Sequence, residues 1–72
     1  NPASDQLFIN LEHSGNYEVV LYDLAGSRIL ERQFETHQAE TIKIGLDSLP
    51  PGTFLLKIKS STGIASEKII KK

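Results

Sequence analysis

Apolar and polar side chains alternate along this chain in short bursts, and no segment of useful length holds the three-to-four residue spacing of an amphipathic helix. From Asp5 to Leu11 the residues Leu7, Ile9 and Leu11 fall on one side of an extended backbone and Gln6, Phe8 and Asn10 on the other. That two-residue period is the mark of a half-buried strand. Tyr17 to Asp23 predicts a second strand, with Val19 and Leu21 opposite Val20 and Tyr22, so both of its faces should be partly covered. Arg28 to Phe34 carries Glu31 and Arg32 near its middle and predicts a more exposed third strand. Glu40 to Leu46 predicts a fourth, with Ile42, Ile44 and Leu46 inward and Thr41, Lys43 and Gly45 outward. In Thr53 to Lys59, the fifth, Phe54, Leu56 and Ile58 oppose Leu55, Lys57 and Lys59. Ile64 to Lys71 closes the series, and its Ser66-Glu67-Lys68 centre predicts an edge strand guarded by charge.

The segments between these runs are rich in turn formers. Glu12-His13-Ser14-Gly15-Asn16 should form a hairpin loop, since Gly15 and Asn16 can both take positive φ. In Asp23-Leu24-Ala25-Gly26-Ser27 the aspartate can accept backbone N–H bonds while Gly26 supplies the left-handed residue of a tight turn. Thr36-His37-Gln38-Ala39 and Ser60-Ser61-Thr62-Gly63 read as further polar turns. At Leu49-Pro50-Pro51-Gly52 two successive prolines remove two backbone donors and Gly52 permits a reversal, so a fixed corner is expected. Six short strands with turns at this spacing predict an all-β fold, a small immunoglobulin-like antiparallel β-sandwich of six to seven strands sharing a core of about a dozen side chains. A small open barrel is the alternative architecture, because periodicity does not distinguish closure from stacking.

Composition sharpens this picture mainly by exclusion. With 72 residues the chain forms one domain at most, and its core must come from two Val, eight Ile, nine Leu, three Phe and two Tyr. There is no Cys, so neither a disulfide nor a thiolate metal site can supplement that core. Eight Lys and Arg against nine Asp and Glu give a formal charge of −1 with the signs interspersed, which lacks the clustered basic excess of a nucleic-acid binder. No apolar run approaches the roughly 20 residues of a transmembrane helix. Asn1-Pro2-Ala3-Ser4-Asp5 does not resemble a signal peptide, so any export signal is expected upstream.

Candidate chemistry is equally sparse. His13 and His37 are the two histidines, each in a predicted loop without the three or four converging ligands a metal needs. None of Ser14, Ser27, Ser48, Ser60, Ser61 or Ser66 sits in a nucleophile elbow or beside an activating His and Asp. Gly26 and Gly63 are isolated turn glycines rather than a phosphate cradle. No catalytic residue, cofactor or metal site is therefore expected, and the domain reads as a non-enzyme. Tyr17, Tyr22, Phe8, Phe34 and Phe54 could stack on sugar rings, so a fibronectin-like or carbohydrate-binding module is the competing function.

Several landmarks occur in order along the whole chain. They are Asn1-Pro2-Ala3-Ser4-Asp5 followed by Leu7 and Ile9; Val20-Leu21-Tyr22-Asp23-Leu24-Ala25-Gly26; Leu46 through Gly52-Thr53-Phe54-Leu55-Leu56-Lys57-Ile58; and Lys68-Ile69-Ile70-Lys71-Lys72. Together they resemble the type A C-terminal sorting domain of the type IX secretion system of Bacteroidetes bacteria. The family usually places a basic residue directly after the hairpin glycine, where Ser27 here precedes Arg28; Gly45 and Phe54 stand where it commonly has Asp and Tyr.

The resemblance implies a host protein, attached N-terminally, that reaches the periplasm and is recognised through this domain by the outer-membrane translocon. A sortase-like protease then removes the domain, and the host is attached to the cell surface or released. On this reading residues 1–72 are a single sorting domain and Asn1 to Asp5 are the end of the linker to the host, with the cut upstream or near Asn1. Lys68, Ile69, Ile70, Lys71 and Lys72 are the expected recognition residues. Asp23, Gly26, Pro50 and Gly52 are expected to act indirectly by fixing turns.

Overall fold

The computed structural model describes residues 2–3 and 6–72. Their strands are β1 (Pro2–Ala3), β2 (Gln6–Leu11), β3 (Gly15–Tyr22), β4 (Arg28–Thr36), β5 (Glu40–Gly45), β6 (Gly52–Ser60) and β7 (Gly63–Lys71), with no helix among them. Five strands form one sheet in the order β1-β7-β6-β3-β4, and β2 pairs with β5 in a second. All pairs are antiparallel except β1 with β7, where Pro2 lies opposite Ile70 and Ala3 opposite Lys71. The two-layer architecture is the predicted sandwich, not the open barrel.

The strict alternation of β2 and β5 explains why they form a layer of their own. Leu7, Ile9 and Leu11 on β2 and Ile42 and Ile44 on β5 are all buried, while every residue between them is exposed. In register Leu7 faces Ile44 and Ile9 faces Ile42, so one side of the pair is a continuous apolar surface. An isolated two-stranded pair is at best marginally stable in water, and this one must cover that surface. It does so against Val19 and Leu21 of β3, Phe54 and Leu56 of β6 and Ile69 of β7, with Leu46 completing the buried cluster. Tyr17, Leu30, Phe34, Leu49 and Ile58 pack around its margin. Each fully buried aliphatic side chain contributes roughly 1.5–3 kcal/mol relative to exposure, which makes these residues the main source of stability in a chain without cross-links.

β3 is the most enclosed strand. It is hydrogen-bonded on both sides, by β4 and β6, and Val19, Val20 and Leu21 are buried in succession. Val20 points away from the core, where its cross-strand neighbours are Glu31 and Lys57. The methylene stems of such long side chains can screen an apolar neighbour while their charges stay in water.

Three boundaries differ from the sequence reading. The first loop is shorter than expected and is not a hairpin: it carries the chain from β2, which pairs with β5, to β3 in the other sheet. There Gly15 and Asn16 already pair with Thr36 and Glu35, and of the two only Gly15 adopts positive φ. Thr36, read as loop, is a buried strand residue whose hydroxyl donates to the His13 carbonyl at 3.2 Å. The last strand is an edge over most of its length, but at Ile70 and Lys71 the backbone of β1 lies along it. Of the expected linker Asn1 to Asp5, residues Asn1, Ser4 and Asp5 are outside the described residues, as is the first residue of the expected first strand.

Candidate recognition surface

The turn joining β3 to β4 is held from inside by one carboxylate. Asp23 Oδ1 accepts the N–H of Ala25 at 3.0 Å and of Ser27 at 2.9 Å, and the Asp23 backbone closes the loop with bonds to Ser27 and Gly26 at 3.0 and 3.1 Å. Gly26 has φ +90°, a conformation that a Cβ would strain even though the space around it is open. Four hydrogen bonds and one glycine thus fix the turn as the Asp23 and Gly26 pattern predicts. Leu24, at its tip, is 79% exposed.

Beyond the turn the β3–β4 register slips by one residue, since Leu21 faces Leu30 while Tyr22 faces Arg28. The extra residue is Ile29, and the bulge turns Arg28 and Glu31 to the same face. Arg28 Nη1 donates to Glu31 Oε2 at 2.6 Å, with both side chains largely in solvent.

The corner before β6 and the end of β7 are joined. Leu49 N–H donates to the Leu46 carbonyl at 3.0 Å, turning the chain into Pro50-Pro51, and Gly52 follows with φ +157°. The Leu49 carbonyl in turn accepts a hydrogen bond from Lys71 Nζ. Lys71 is therefore buried, its stem over the core margin and its ammonium spent on the corner. Of the five expected recognition residues, alternation sends Ile69 fully inward with Lys71, while Lys68, Ile70 and Lys72 are exposed. Pleat parity thus places Lys71, unlike Lys68 and Lys72, on the core side of the strand.

The outward residues of β7 belong to a larger feature. Across the outer face of the five-stranded sheet, Tyr22 of β3 faces Leu55 of β6, and Leu55 faces Lys68 of β7. In the next row Thr53 faces Ile70. Together with Leu24, the residues Tyr22, Thr53, Leu55 and Lys68 line an open groove of about 450 Å³. The Lys57 ammonium stands 5.6 Å from the centre of the Tyr22 ring, within cation–π range, and Lys68 lies at the opposite rim. Sequence reading singled out Asp23, Gly26 and Lys68 from this region, took Tyr22 only as a sugar-stacking candidate, and missed Leu24, Leu55 and Lys57. The available signal was a leucine at the tip of a tight turn, where the turn geometry asks for no apolar side chain.

The aromatic residues do not assemble into a sugar-stacking platform. Phe54 is in the core, Tyr17 and Phe34 pack against it, and the Tyr17 hydroxyl donates to the His13 carbonyl at 2.7 Å. Tyr22 and the 62% exposed Phe8 lie on the outer faces of different sheets, so no two exposed rings share a face. Both histidines are exposed, and among the described residues no three His, Asp or Glu side chains gather at metal-binding distance.

The family model of the secretion system C-terminal sorting domain matches residues 1–72. The chain belongs to that family. It is a C-terminal sorting domain of the type IX secretion system, a family that is not catalytic. Membership implies an N-terminal host, interaction with the type IX machinery, and export across the outer membrane to the cell surface or the medium. No characterised protein and no solved structure matches the chain. In the sorting domain no described helix is long and apolar enough to cross a membrane.

Proposed function

We propose that the folded sorting domain is read by the outer-membrane translocon through β7, and that a sortase-like protease afterwards separates it from its host, which is anchored at the surface or released. The observation that carries this reading is the double commitment of β7. One face of the strand inserts Ile69 into the core and ties Lys71 to the Leu49 carbonyl, while the other presents Lys68 and Ile70 outward. Only a correctly folded domain displays that outward face in its place. From Gly63 to Ile69 the strand has β6 on one side and no described strand on the other, which leaves backbone N–H and C=O groups for a partner strand.

Cleavage is compatible with the same geometry. Pro2–Ala3 run beside Ile70–Lys71, so the segment read as the linker to the host passes along the recognised strand.

A reporter fused upstream of the domain tests the reading in a cell with a working type IX system. The intact fusion should reach the surface, and deletion of Ile70 to Lys72 should leave the reporter in the periplasm. Because that deletion also removes a stabilising contact, Ile70→Ser with Lys72→Glu, both at exposed positions, provides a folded counterpart, and both variants should retain the reporter. Normal display of the deletion fusion would refute the proposal. Mass spectrometry of the displayed host should find residues 1–72 missing; a mature host that keeps them would refute the cleavage step.

A further inference from the structure

We propose that the host segment directly ahead of Asn1 continues β1 as a parallel strand along the open edge of β7, covering the edge that the translocon reads until the translocon displaces it. This rests on the β7 reading and deepens it. The linker is a built-in competitor for the edge, and its displacement exposes the junction to the protease only after recognition.

Register fixes the occupant. Pro2 lies opposite Ile70 and Ala3 opposite Lys71 in parallel, a constant offset of 68 positions. The same offset carried upstream sets the six host residues ahead of Asn1 opposite Lys68 back to Gly63. Because β1 already occupies this edge, the segment reaches it without a loop, and tethering gives it an effective concentration on the order of millimolar. Pro2 suits the position, since proline within a sheet is confined to edge strands, first residues and bulges. A second copy of the sorting domain reaches the edge only by diffusion and must fit beside a β1 that already holds Ile70 and Lys71.

The edge itself is ready for a strand. From Gly63 to Glu67, β7 has β6 on one side and no described strand on the other. Its pairing with β6 runs through nine residue pairs without a slip, so the edge is regular; β4, at the far side of the sheet, carries the bulge at Ile29. These five residues are exposed on both faces of the strand, although Ala65 and Glu67 share the core side with the buried Ile69 and Lys71. Ile64, on the outer side, is 63% exposed. Beside them a groove of about 360 Å³ opens between the two layers, with Leu11, Ile58, Ile64 and Ala65 in its lining. A strand in the stated register turns the side chain opposite Ala65 toward the core side and lays another beside Ile64 on the outer side. Apolar contact then adds to the backbone hydrogen bonds.

Cysteine pairs test the register, and the domain has no cysteine of its own to interfere. The reporter fusion keeps the host's own residues ahead of Asn1 and carries Ala65→Cys with one further cysteine, placed either four or three residues ahead of Asn1. Only the four-residue placement lies opposite Ala65 and on its face, so its disulfide should form at least about ten times more completely. Equal cross-linking by the two placements, none with either, or a predominance of intermolecular dimers through Ala65→Cys would overturn the proposal. Hydrogen exchange supplies a measurement without cysteines. Edge-facing amides between Gly63 and Glu67 should exchange at least about tenfold faster when the six linker residues are replaced by alternating proline and glycine. Alternating threonine and valine should keep the parent rate, because backbone pairing needs no particular sequence; equal rates in all three fusions would also overturn the proposal.

Display separates this proposal from the reading beneath it. The cross-linked fusion should stay in the periplasm and reach the surface after reduction. Its display at the parent level while cross-linked would overturn the competition between linker and translocon. A parent fusion that is never displayed would instead remove the sorting reading, with cross-linking and exchange still deciding whether the linker pairs with β7.

Discussion

The two sheets of the sorting domain use the same residue alphabet for different ends. In β2 and β5 each strand has one buried and one exposed face, the outer side carries Phe8, Asn10, Thr41 and Lys43, and its one described side-chain bond joins Thr41 Oγ1 to Asn10 Oδ1 at 2.7 Å. The five-stranded sheet works on both sides. Its inner face supplies Val19, Leu21, Phe54, Leu56 and Ile69 to the core, and its outer face buries Val20, seats Lys57 on Tyr22 and forms the groove. The smaller sheet is a lid whose outward residues are free to be anything soluble, whereas the larger is both scaffold and display surface. Substitutions should therefore have asymmetric consequences.

The largest effect is expected where the larger sheet faces the lid. Leu21→Ala, at the centre of β3, should cost about 2–5 kcal/mol in a chemical denaturation, enough to unfold much of a domain this small. An unchanged midpoint would mean that the core does not depend on β3. Next comes the link between β7 and the proline corner. Lys71→Met keeps the buried stem but strands the Leu49 carbonyl, a loss of about 1–3 kcal/mol, whereas Lys72→Met, exposed at the next position, should be close to neutral. Equal effects at the two lysines would contradict the parity assigned to β7. Asp23→Ala removes two accepted N–H bonds from an exposed turn and should cost about 1 kcal/mol, measured as a lower melting temperature. Smallest of all, Arg28→Ala should stay within about 0.5 kcal/mol because its ion pair with Glu31 is solvent-exposed. Phe8→Ser on the lid should likewise fall within about 0.5 kcal/mol by the same denaturation assay, and a larger loss there would erase the contrast between the sheets.

This asymmetry also governs what the sequence discloses. The inward faces of the lid were legible, since Leu7, Ile9, Leu11, Ile42, Ile44 and Leu46 recur at every second position of their strands and are all buried, but the pairing of β2 with β5 was not. So was the β3–β4 turn, because the conformation needs an aspartate acceptor and a glycine. The larger sheet was legible strand by strand but not in its details. Val20 is apolar on an outward position, and only cross-strand neighbours contributed by other strands cover it. The slip at Ile29 leaves no mark on the local pattern, since a bulge adds one residue without a special side chain. Pairing of Pro2–Ala3 with β7 was invisible for a different reason: two residues are too few to carry a period, and their partner lies at the far end of the chain. Lys71 misled because a lysine scores as polar, although its stem is apolar and its ammonium needs only one carbonyl to be buried. The groove was hidden for the same reason that it forms: its walls come from three strands and a turn that meet only after folding.

The position of Ile69 has a consequence for how the domain comes into being. This fully buried side chain is delivered by the final strand, so the hydrophobic interior stays open until nearly all of the domain has been synthesised. Whatever lies ahead of it in the polypeptide emerges from the ribosome earlier and has the first opportunity to fold. An address assembled in that order becomes readable only once the message it labels has been written.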